Sequence, residues 1–465
     1  MKHRYKYESL LFYSYYDRSG IARHLEEMAA RGWMLDKLGS WSWRYRQTEP
    51  RALHFAVTYF PSASQFDPHP SEGQETLWDF CAAAGWELAA SVAQIQIFYN
   101  EQEAPVPIET DPAVEFDTMN RSMKRGFLSS YWALLAISLM QIGMNLWQLF
   151  KNPIDVLSDP TRLTSCFGYL PLLILTAVEL IRYYRWRRRA REAVEADAPL
   201  PELHSSRKLS GFILGCTFLE ILLMFAANFS SRGMTLLLVL IFLYMALMTF
   251  LVSSATKVLK RMNVRRSVNM VITIGMTVAL TFGMMAGMTA LIFKMGSGWL
   301  EDHPPAETYE YHGITWDVYH DDLPLRIEDL MEVGYEEWST VARENSSFLL
   351  THREYQQQAR LDAPKHTPDL DYEIVEVHAP VLYALCKQDM ITRYWYNHPV
   401  EYRDNYLPAD PAPWGAEAVY QRHNYDGPPS NYYLLCWEDR IAEIHFYWDP
   451  TPEQMALTGE VLKRA

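Results

Sequence analysis

The sequence contains no motif that names a chemistry. It has no P-loop, no dinucleotide-binding glycine fingerprint and no Ser/His/Asp arrangement of a hydrolase. Its C-terminal part also lacks the HExxH and CxxC spacings of common metal sites. An enzyme activity is therefore unsupported, although a missing motif does not exclude one. We expect no catalytic residue, no metal and no cofactor.

The N-terminus lacks an apolar stretch long enough for a signal peptide. In the opening segment, MKHRYKYESLLFYSYYDRSG, tyrosines and charges interrupt every apolar run. We therefore expect the first domain to stay in the cytoplasm.

Charge is distributed unevenly along the chain, whose overall net charge is −14. Residues 1–118 have a net charge of −7, residues 119–295 of +12 and residues 296–465 of −19. A basic middle between two acidic ends is not the profile of a nucleic-acid-binding protein, so no direct nucleic-acid partner is expected. The profile suits a membrane section whose loops face anionic lipid.

Five long apolar runs lie in that basic middle. Each approaches or exceeds the roughly 20 residues that cross a bilayer as a helix, and none has the polar stripe of a soluble helix. They predict a membrane section over residues 127–295, after a linker over 106–126. The runs are Phe127–Phe150, Leu163–Arg182, Leu209–Phe229, Met234–Ser254 and Met270–Phe293.

The loops between these runs alternate in charge. Arginine and lysine concentrate before the first run, between the second and third, and between the fourth and fifth. The other two loops contain few basic residues. By the positive-inside rule this pattern predicts a cytoplasmic N-terminus and an extracytoplasmic C-terminus.

A Gly-Trp pair occurs twice in the first domain, as MAARGWML from Met28 and CAAAGWEL from Cys81. Each pair follows a helical pattern and precedes an alternating, strand-like one. We expect Gly32 and Gly85 to end the helices in a left-handed conformation. Trp33 and Trp86 would then anchor helix to sheet.

Reading one strand on either side of each helix gives the order β-α-β-β-α-β. This order predicts a ferredoxin-like domain over residues 1–105, with one four-stranded antiparallel sheet. The insertion PSASQFDPHPSEGQE breaks the symmetry between the halves, and such an asymmetry is a reasonable place to expect binding.

These segments resemble a known family. YDRSGIARHLEEMAARGW, FAVTYFPSASQFDP and DFCAAAGWEL…QIQIFYN are similar, in order and spacing, to the N-terminal domain of bacterial membrane proteins of domain-of-unknown-function family 2812. The resemblance covers about residues 1–110. It implies a plasma-membrane protein and no established activity. Because some members are encoded beside PadR-type transcriptional repressors, it also suggests such a repressor as a cytoplasmic partner.

Two carboxylates fall inside the apolar runs. Glu179 is explained by Arg182, one helical turn away. Glu220 has no local partner, so it is either a proton or ligand site or a neutral packing residue. Gln141 and Asn145 of the first run, or Asn228 on its own helix, could satisfy it.

The last domain, residues 296–465, has a mixed α+β pattern. IEDLMEVGYEEW and PVLYALCKQDMI favour helices, and NYYLLCWED with RIAEIHFYW favours a hairpin. A final helix begins after Thr451 as N-cap. Aromatic side chains and arginines typical of a ligand surface concentrate in one segment, although they could equally be core. They are Arg393, Tyr394, Trp395, Tyr396, Tyr402, Arg403 and Tyr406.

Cysteine is scarce, with five in the chain. Two of them, Cys386 and Cys436, fall in the domain expected outside the cell. In an oxidising compartment they form a disulfide or remain buried thiols, and the sequence leaves both open.

The sequence thus predicts a multi-domain α+β membrane protein with a ferredoxin-like N-terminal domain, five membrane helices and an α+β C-terminal domain. We expect it to be a sensor or signalling protein. An extracytoplasmic domain would bind an unknown ligand, and the cytoplasmic domain would bind a protein partner. The alternative is a transporter-like module that uses Glu220.

Overall fold

The structure is a computed structural model that describes residues 4–9, 17–39, 42–202, 207–229, 232–295, 304–393, 405–423 and 428–465. These residues fall into two compact units. The first comprises Met1–Met140, Gly168–Ile221 and Leu238–Leu291, and the second Gln141–Phe167, Leu222–Leu237 and Ile292–Ala465. The boundary divides several of the long helices between the two units.

The N-terminal repeat is a β-α-β-β unit that occurs twice. In each copy the last strand pairs with both of the others, so each sheet has three antiparallel strands. The first copy consists of β1 (Tyr5–Ser9), α1 (Arg18–Ala30), β2 (Trp33–Lys37) and β3 (Ser42–Gln47). The second consists of β4 (His54–Tyr59), α2 (Glu72–Ala83), β5 (Glu87–Val92) and β6 (Ile95–Asn100).

The predicted ferredoxin-like domain with one four-stranded sheet is therefore wrong for the described strands. The segment after each Gly-Trp pair is not one long strand but a hairpin. In the second copy the chain reverses at Ala93 and Gln94, where Ala93 has a φ of 49°. An alternating pattern continues through such a tight turn, so the pattern alone does not reveal the reversal.

The two glycines of the repeat end their helices with positive φ, 79° at Gly32 and 84° at Gly85. A Cβ on Gly32 would also lie 2.8 Å from the carbonyl oxygen of Thr48. Trp86 is buried with Cys81 and Phe98, between α2 and β6. Trp33 is half-buried at the edge of the core formed by α1 and its sheet.

Helices that leave the N-terminal domain share its hydrophobic core. α3 (Pro112–Met123) lies within the stretch predicted as a linker and contributes Met119 and Met123. A π-helical turn (Lys124–Leu128) joins it to α4 (Ser129–Lys151). Tyr183 and Trp186 of α6 (Pro160–Glu195) lie in the same core.

Within the described part of the chain, five helices are long and apolar enough to cross a membrane: Pro112–Lys151, Pro160–Glu195, Lys208–Ala227, Arg232–Arg261 and Arg266–Lys294. This is consistent with a multi-pass membrane protein. The corresponding elements after α6 are α7 (Arg207–Ala227), α8 (Arg232–Arg261) and α9 (Arg266–Met295), and a short α5 (Pro153–Ser158) connects α4 to α6.

The C-terminal region is built on a seven-stranded antiparallel sheet in the order β12-β13-β14-β15-β11-β10-β9. A separate hairpin, β7 (Glu307–Tyr311) and β8 (Ile314–Val318), precedes it. The strands of the sheet are β9 (Trp338–Ser346), β10 (Leu350–Ala359), β11 (Leu370–Val377), β12 (Asn405–Ala409), β13 (Ala418–His423), β14 (Pro429–Cys436) and β15 (Arg440–Phe446). Its helices are α10 (Ile327–Leu330), α11 (Tyr383–Thr392) and α12 (Pro452–Arg464).

Each face of this sheet has its own core. One face packs Tyr372, Ile444 and Phe446 with Leu462 of α12. The other face packs Val375 and further apolar residues with α11 and α5, namely Leu350, Leu434, Ile441, Cys386, Met390, Ile154 and Leu157.

The predicted hairpin and final helix of this region are confirmed, with the Thr451 side chain accepting a hydrogen bond from the Gln454 N–H. The helix predicted from Ile327 to Trp338 is wrong beyond Leu330. Met331, Val333 and Tyr335 all pack against the core, and this alternation requires extended chain rather than a helix.

Candidate ligand-binding cavity in the C-terminal domain

Three glutamates face one another across adjacent strands of the C-terminal sheet. Glu373 of β11 lies directly opposite Glu354 of β10 on one side and Glu443 of β15 on the other. Directly opposed like charges destabilise a sheet. The row therefore requires cationic or proton-donating partners.

Arg393 and His352 supply the positive charge. Arg393 Nη1 donates to Glu373 Oε1 over 2.6 Å, and His352 Nε2 lies 2.7 Å from Glu373 Oε2. Burial acts to raise the pKa of Glu373, but Arg393 and His352 outweigh it and hold that pKa at about 2. Burial acts to lower the pKa of His352, and its hydrogen bond to Glu373 produces a net rise.

The third glutamate titrates near neutral pH. Glu443 is 4 % exposed and accepts a 2.8 Å hydrogen bond from the Tyr406 hydroxyl. Burial, followed by the negative charge of Glu373, raises the pKa of Glu443 to about 7. Glu373 and Glu443 thus favour opposite protonation states, and the site holds a proton that neutral pH can remove.

A second polar row borders this first one. Asp371 and His445 lie opposite each other on β11 and β15. The His445 ring stacks on Tyr432 with centroids 3.7 Å apart, and the Arg422 guanidinium lies 3.5 Å from the Tyr432 ring centroid. Burial, together with the charge of Arg422, lowers the pKa of His445 to about 4, so its imidazole is neutral at pH 7.

Two atoms of this row are buried without a hydrogen-bond partner among the described residues: Asp371 Oδ1 and His445 Nδ1. The other oxygen of Asp371 accepts a 3.0 Å hydrogen bond from Tyr447. Buried polar atoms are normally paired, so an orphaned pair requires an explanation such as a missing ligand. A carboxylate and a neutral imidazole nitrogen can both accept, and together they suit a ligand that donates N–H or O–H bonds.

These rows line an open cavity of about 290 Å³. Among the described residues, its wall contains four carboxyl groups, one guanidinium and a neutral imidazole. These acidic and basic groups belong to Glu354, Asp371, Glu373, Glu443, Arg393 and His445.

A metal ion could use His352, Glu354 and Glu373, whose potential ligand atoms lie within 4.8 Å of one another. Both Glu373 oxygens, however, are already bound to Arg393 and His352. The Arg393 guanidinium, 2.6 Å from Glu373, would electrostatically repel a metal cation bound to the same carboxylate. The chemistry of the donor set therefore fits an organic ligand better than a metal.

The ligand surface expected from the sequence includes two residues of this site. Arg393 lines the cavity, and Tyr406 binds Glu443. The other five residues of that expectation, Tyr394, Trp395, Tyr396, Tyr402 and Arg403, lie outside the described residues.

Sequence reasoning missed the residues at the centre of the site, Glu373, Glu443, Asp371 and His445. A signal was present. In DYEIVEV the charged Asp371 and Glu373 share their face with the apolar Val375, and charged residues on an otherwise buried strand face indicate a site.

Within the apolar helices, Glu179 is 4 % exposed, and its Oε1 lies 3.8 Å from Arg182 Nη1. Glu220 has no hydrogen bond to any described residue. Its carboxylate instead lies against Gly168, where an added Cβ would overlap it. The partners expected for Glu220 bind elsewhere or not at all: Asn145 donates to the Ser165 carbonyl oxygen, and Gln141 has no described hydrogen bond.

The two cysteines of the C-terminal domain are free thiols, both buried. They lie in the same apolar core, on α11 and β14. Burial raises the pKa of Cys386 to about 11 and also raises the pKa of Cys436. Protonated thiols are poor nucleophiles for forming the disulfide that the sequence left open.

The insertion between the halves of the repeat contacts the chain itself. Asn269 of α9 donates to the Phe66 carbonyl oxygen over 3.1 Å, and Arg266 donates to that of Ser62 over 2.9 Å. His69 lies 2.6 Å from Asn263, in the turn between α8 and α9. The insertion therefore binds the start of α9 and the turn before it, and its expected role in binding a partner stays a prediction.

Residues 19–132 match the model of a family described as a protein of unknown function (DUF2812). The match confirms the resemblance found in the sequence and extends it into α4. No curated protein and no solved structure matches the chain. The C-terminal cavity lies outside the matched residues.

Proposed function

We propose that this protein is a sensor in the bacterial plasma membrane. In this proposal the C-terminal cavity faces the outside and binds a small ligand. The N-terminal domain lies in the cytoplasm and binds a protein partner. α4 and α6 carry the signal between them.

The anchoring of α4 and α6 is the observation that carries this proposal. In the first unit, Met119 and Met123 of α3, which continues through the π-helical turn into α4, lie in the core of the N-terminal repeat together with Tyr183 and Trp186 of α6. In the second unit, α5, which joins the other ends of the same two helices, is buried in the core of the C-terminal sheet. A displacement of the helix ends in the N-terminal core, or of α5 in the C-terminal core, therefore also displaces α4 and α6.

Local contacts support the proposed orientation. The turn between α8 and α9, rich in Lys and Arg, binds the insertion of the N-terminal domain. The sparsely charged α4–α6 connection packs against the C-terminal sheet. Basic loops favour the cytoplasmic side, so both contacts agree with a cytoplasmic N-terminus and an outer C-terminus. Labelling of single introduced cysteines at Ser71 and Ser347 with a membrane-impermeant maleimide in intact cells tests this, and labelling at Ser71 alone would contradict it.

The chemistry of the cavity favours a small amine as ligand. Asp371 Oδ1 and His445 Nδ1 offer two acceptors, and among the described residues of the wall four carboxylates accompany one guanidinium. An ammonium group both donates hydrogen bonds and carries the complementary charge.

The cytoplasmic partner follows from the family resemblance, which suggests a PadR-type repressor. β1 and β4 are edge strands of their three-stranded sheets, and Tyr5 and Tyr7 of β1 are exposed. An exposed edge with aromatic side chains suits the addition of a partner strand.

Thermal unfolding of the purified full-length protein tests the ligand assignment. Putrescine should raise the Tm, because its ammonium groups donate N–H bonds. The bis-trimethylammonium analogue of putrescine at equal concentration and ionic strength should not, because it has both charges but no N–H donor. Asp371→Asn should remove the putrescine effect, and the exposed Asp362→Asn should keep it. Equal shifts with both cations, or an unchanged shift in Asp371→Asn, would refute the assignment.

A second candidate function is proton-coupled transport through Glu220. It is favoured by one observation: the carboxylate lies in the notch at Gly168 without a hydrogen-bond donor among the described residues. An uncompensated carboxylate within an apolar helix is a functional hypothesis by default. Glu220→Gln in vesicles loaded with a pH-sensitive dye should abolish proton movement, and unchanged movement in a folded variant would remove this candidate.

A further inference from the structure

An apolar groove of about 460 Å³ lies between α4 and α6, at the ends of these helices that adjoin the N-terminal core. Its wall is almost entirely apolar, and two arginines stand at one end. The lining includes Trp132, Leu135, Ile181, Tyr184, Arg185 and Arg188.

One side of α6 packs against the N-terminal domain, and another side faces the groove. Tyr183, Trp186 and Ala190 are buried in the core of the N-terminal domain. Ile181 and Tyr184, on the groove side, are 55 % and 40 % exposed. Both sides are apolar, so the exposed side requires a nonpolar environment of its own.

The arginines of the groove are available for an anion. Arg185 has no acidic partner among the described residues. Arg188 Nε lies 3.3 Å from Glu192, but both side chains are largely exposed, and such surface pairs contribute little. Trp132 and Tyr184, which are 49 % and 40 % exposed, combine an apolar ring with a polar group, as side chains at a lipid interface do.

The position of the two arginines fits the edge of the membrane. The groove begins at Ala177, inside the predicted run Leu163–Arg182, and Arg185 and Arg188 lie about 4.5 and 9 Å beyond the end of that run at the usual 1.5 Å per residue. The headgroup layer on each side of a bilayer is roughly 5 to 8 Å thick. An acyl chain that fills the groove therefore ends with its headgroup beside Arg185 and Arg188.

We propose that this groove is a binding site for one anionic phospholipid. The acyl chain packs along Trp132, Leu135 and Ile181, and Arg185 and Arg188 bind the phosphate. The charge of the rim selects an anionic lipid over a zwitterionic one. The lipid thereby holds together the two helices that enter the N-terminal core. This site is independent of any ligand in the C-terminal cavity.

Quenching of Trp132 by brominated lipid tests the proposal on the full-length protein. The protein is reconstituted in phosphatidylcholine vesicles with phosphatidylglycerol as a minor component, and the acyl chains of one lipid or the other carry bromine. The fluorescence lost in Trp132→Phe isolates the signal of this tryptophan. Per mole, brominated phosphatidylglycerol should quench that signal several-fold more than brominated phosphatidylcholine.

Two matched double variants separate the site from general attraction. Arg185→Gln with Arg188→Gln should abolish the preference for phosphatidylglycerol. Arg189→Gln with Arg191→Gln removes the same charge from the same helix outside the groove and should keep it. Ala177→Phe, which fills the groove and retains both arginines, should reduce quenching by either lipid.

Several results would overturn the proposal. Equal quenching by the two lipids in the unmodified protein would exclude selection of an anionic lipid. An equal loss of the preference for phosphatidylglycerol in both double variants would indicate a general charge effect rather than a specific site. A groove occupied by a second copy of the chain would give no lipid quenching of Trp132, and light scattering would show a dimer that Ala177→Phe dissociates.

Discussion

Replacing Glu443 by glutamine should stabilise the C-terminal domain, and only at neutral to alkaline pH. The folded protein raises the pKa of this carboxyl from 4.5 to about 7, first through burial and then through the charge of Glu373. A carboxyl with a raised pKa stabilises the folded state when it is protonated. Its contribution is fully present below the unfolded pKa near 4.5 and is lost as the pH rises through 7.

The magnitude follows from this shift. A change of about 2.5 pKa units corresponds to about 3 kcal/mol of free energy of unfolding, reached above pH 8. Glutamine has no charge to bury, and its amide oxygen can still accept the hydrogen bond from Tyr406. For a domain of this size, about 2 to 3 kcal/mol raises the Tm by roughly 4 to 10 °C.

The assay is thermal unfolding of the full-length protein in detergent from pH 4.5 to 9. Glu443→Gln and the unmodified protein should unfold at similar temperatures at pH 4.5 and diverge above pH 7. Glu417→Gln, a change of the same kind outside the cavity row, serves as control. A Tm gain that is constant with pH, or a loss at pH 8.5, would refute this electrostatic account of the glutamate row.

Two further predictions concern the arginine of the cavity and the glycine notch. Arg393→Gln leaves Glu373 without its closest cation and should destabilise the protein by about 3 kcal/mol at pH 8. Lowering the pH to 5 should restore part of this loss, and a pH-independent loss measured by thermal unfolding would contradict the role of charge. Gly168→Ala should lower the Tm because its Cβ overlaps the Glu220 carboxylate, whereas Gly283→Ala, where a Cβ meets nothing within 4 Å, should not. Combining Gly168→Ala with Glu220→Ala should restore the Tm, because the overlapping carboxylate is removed. An unrestored Tm would show that contact with Glu220 is not the reason why position 168 requires glycine.

The five long apolar helices of the described chain were predictable because hydrophobicity over about twenty residues leaves few alternatives. The repeat was predictable as well, since the same pattern occurs twice around Gly32 and Gly85. The number of strands was not. A two-residue reversal at Ala93 and Gln94 preserves the alternation of apolar residues, so the hairpin resembles one long strand.

Only two residues of the cavity site could be predicted from the sequence. Arg393 and Tyr406 were selected for their residue types, whereas Glu373 and Glu443 become a site only through strand register. Those two residues lie 70 positions apart in the sequence, on β11 and β15, and the order of the strands in the sheet brings them together. Sequence patterns record the face of a strand but not which strand lies beside it.

Hydrogen–deuterium exchange of the full-length protein in nanodiscs, with and without putrescine, tests the central claim most directly. The claim is that a ligand in the C-terminal cavity acts on the N-terminal domain through α4 and α6. It predicts protection around Glu373 and His445, together with a changed exchange rate in α3 and in the π-helical turn at Lys124–Leu128. Protection at the cavity with no change in α3, the turn or α1 would show that the cavity binds its ligand without passing a signal, and would contradict the account.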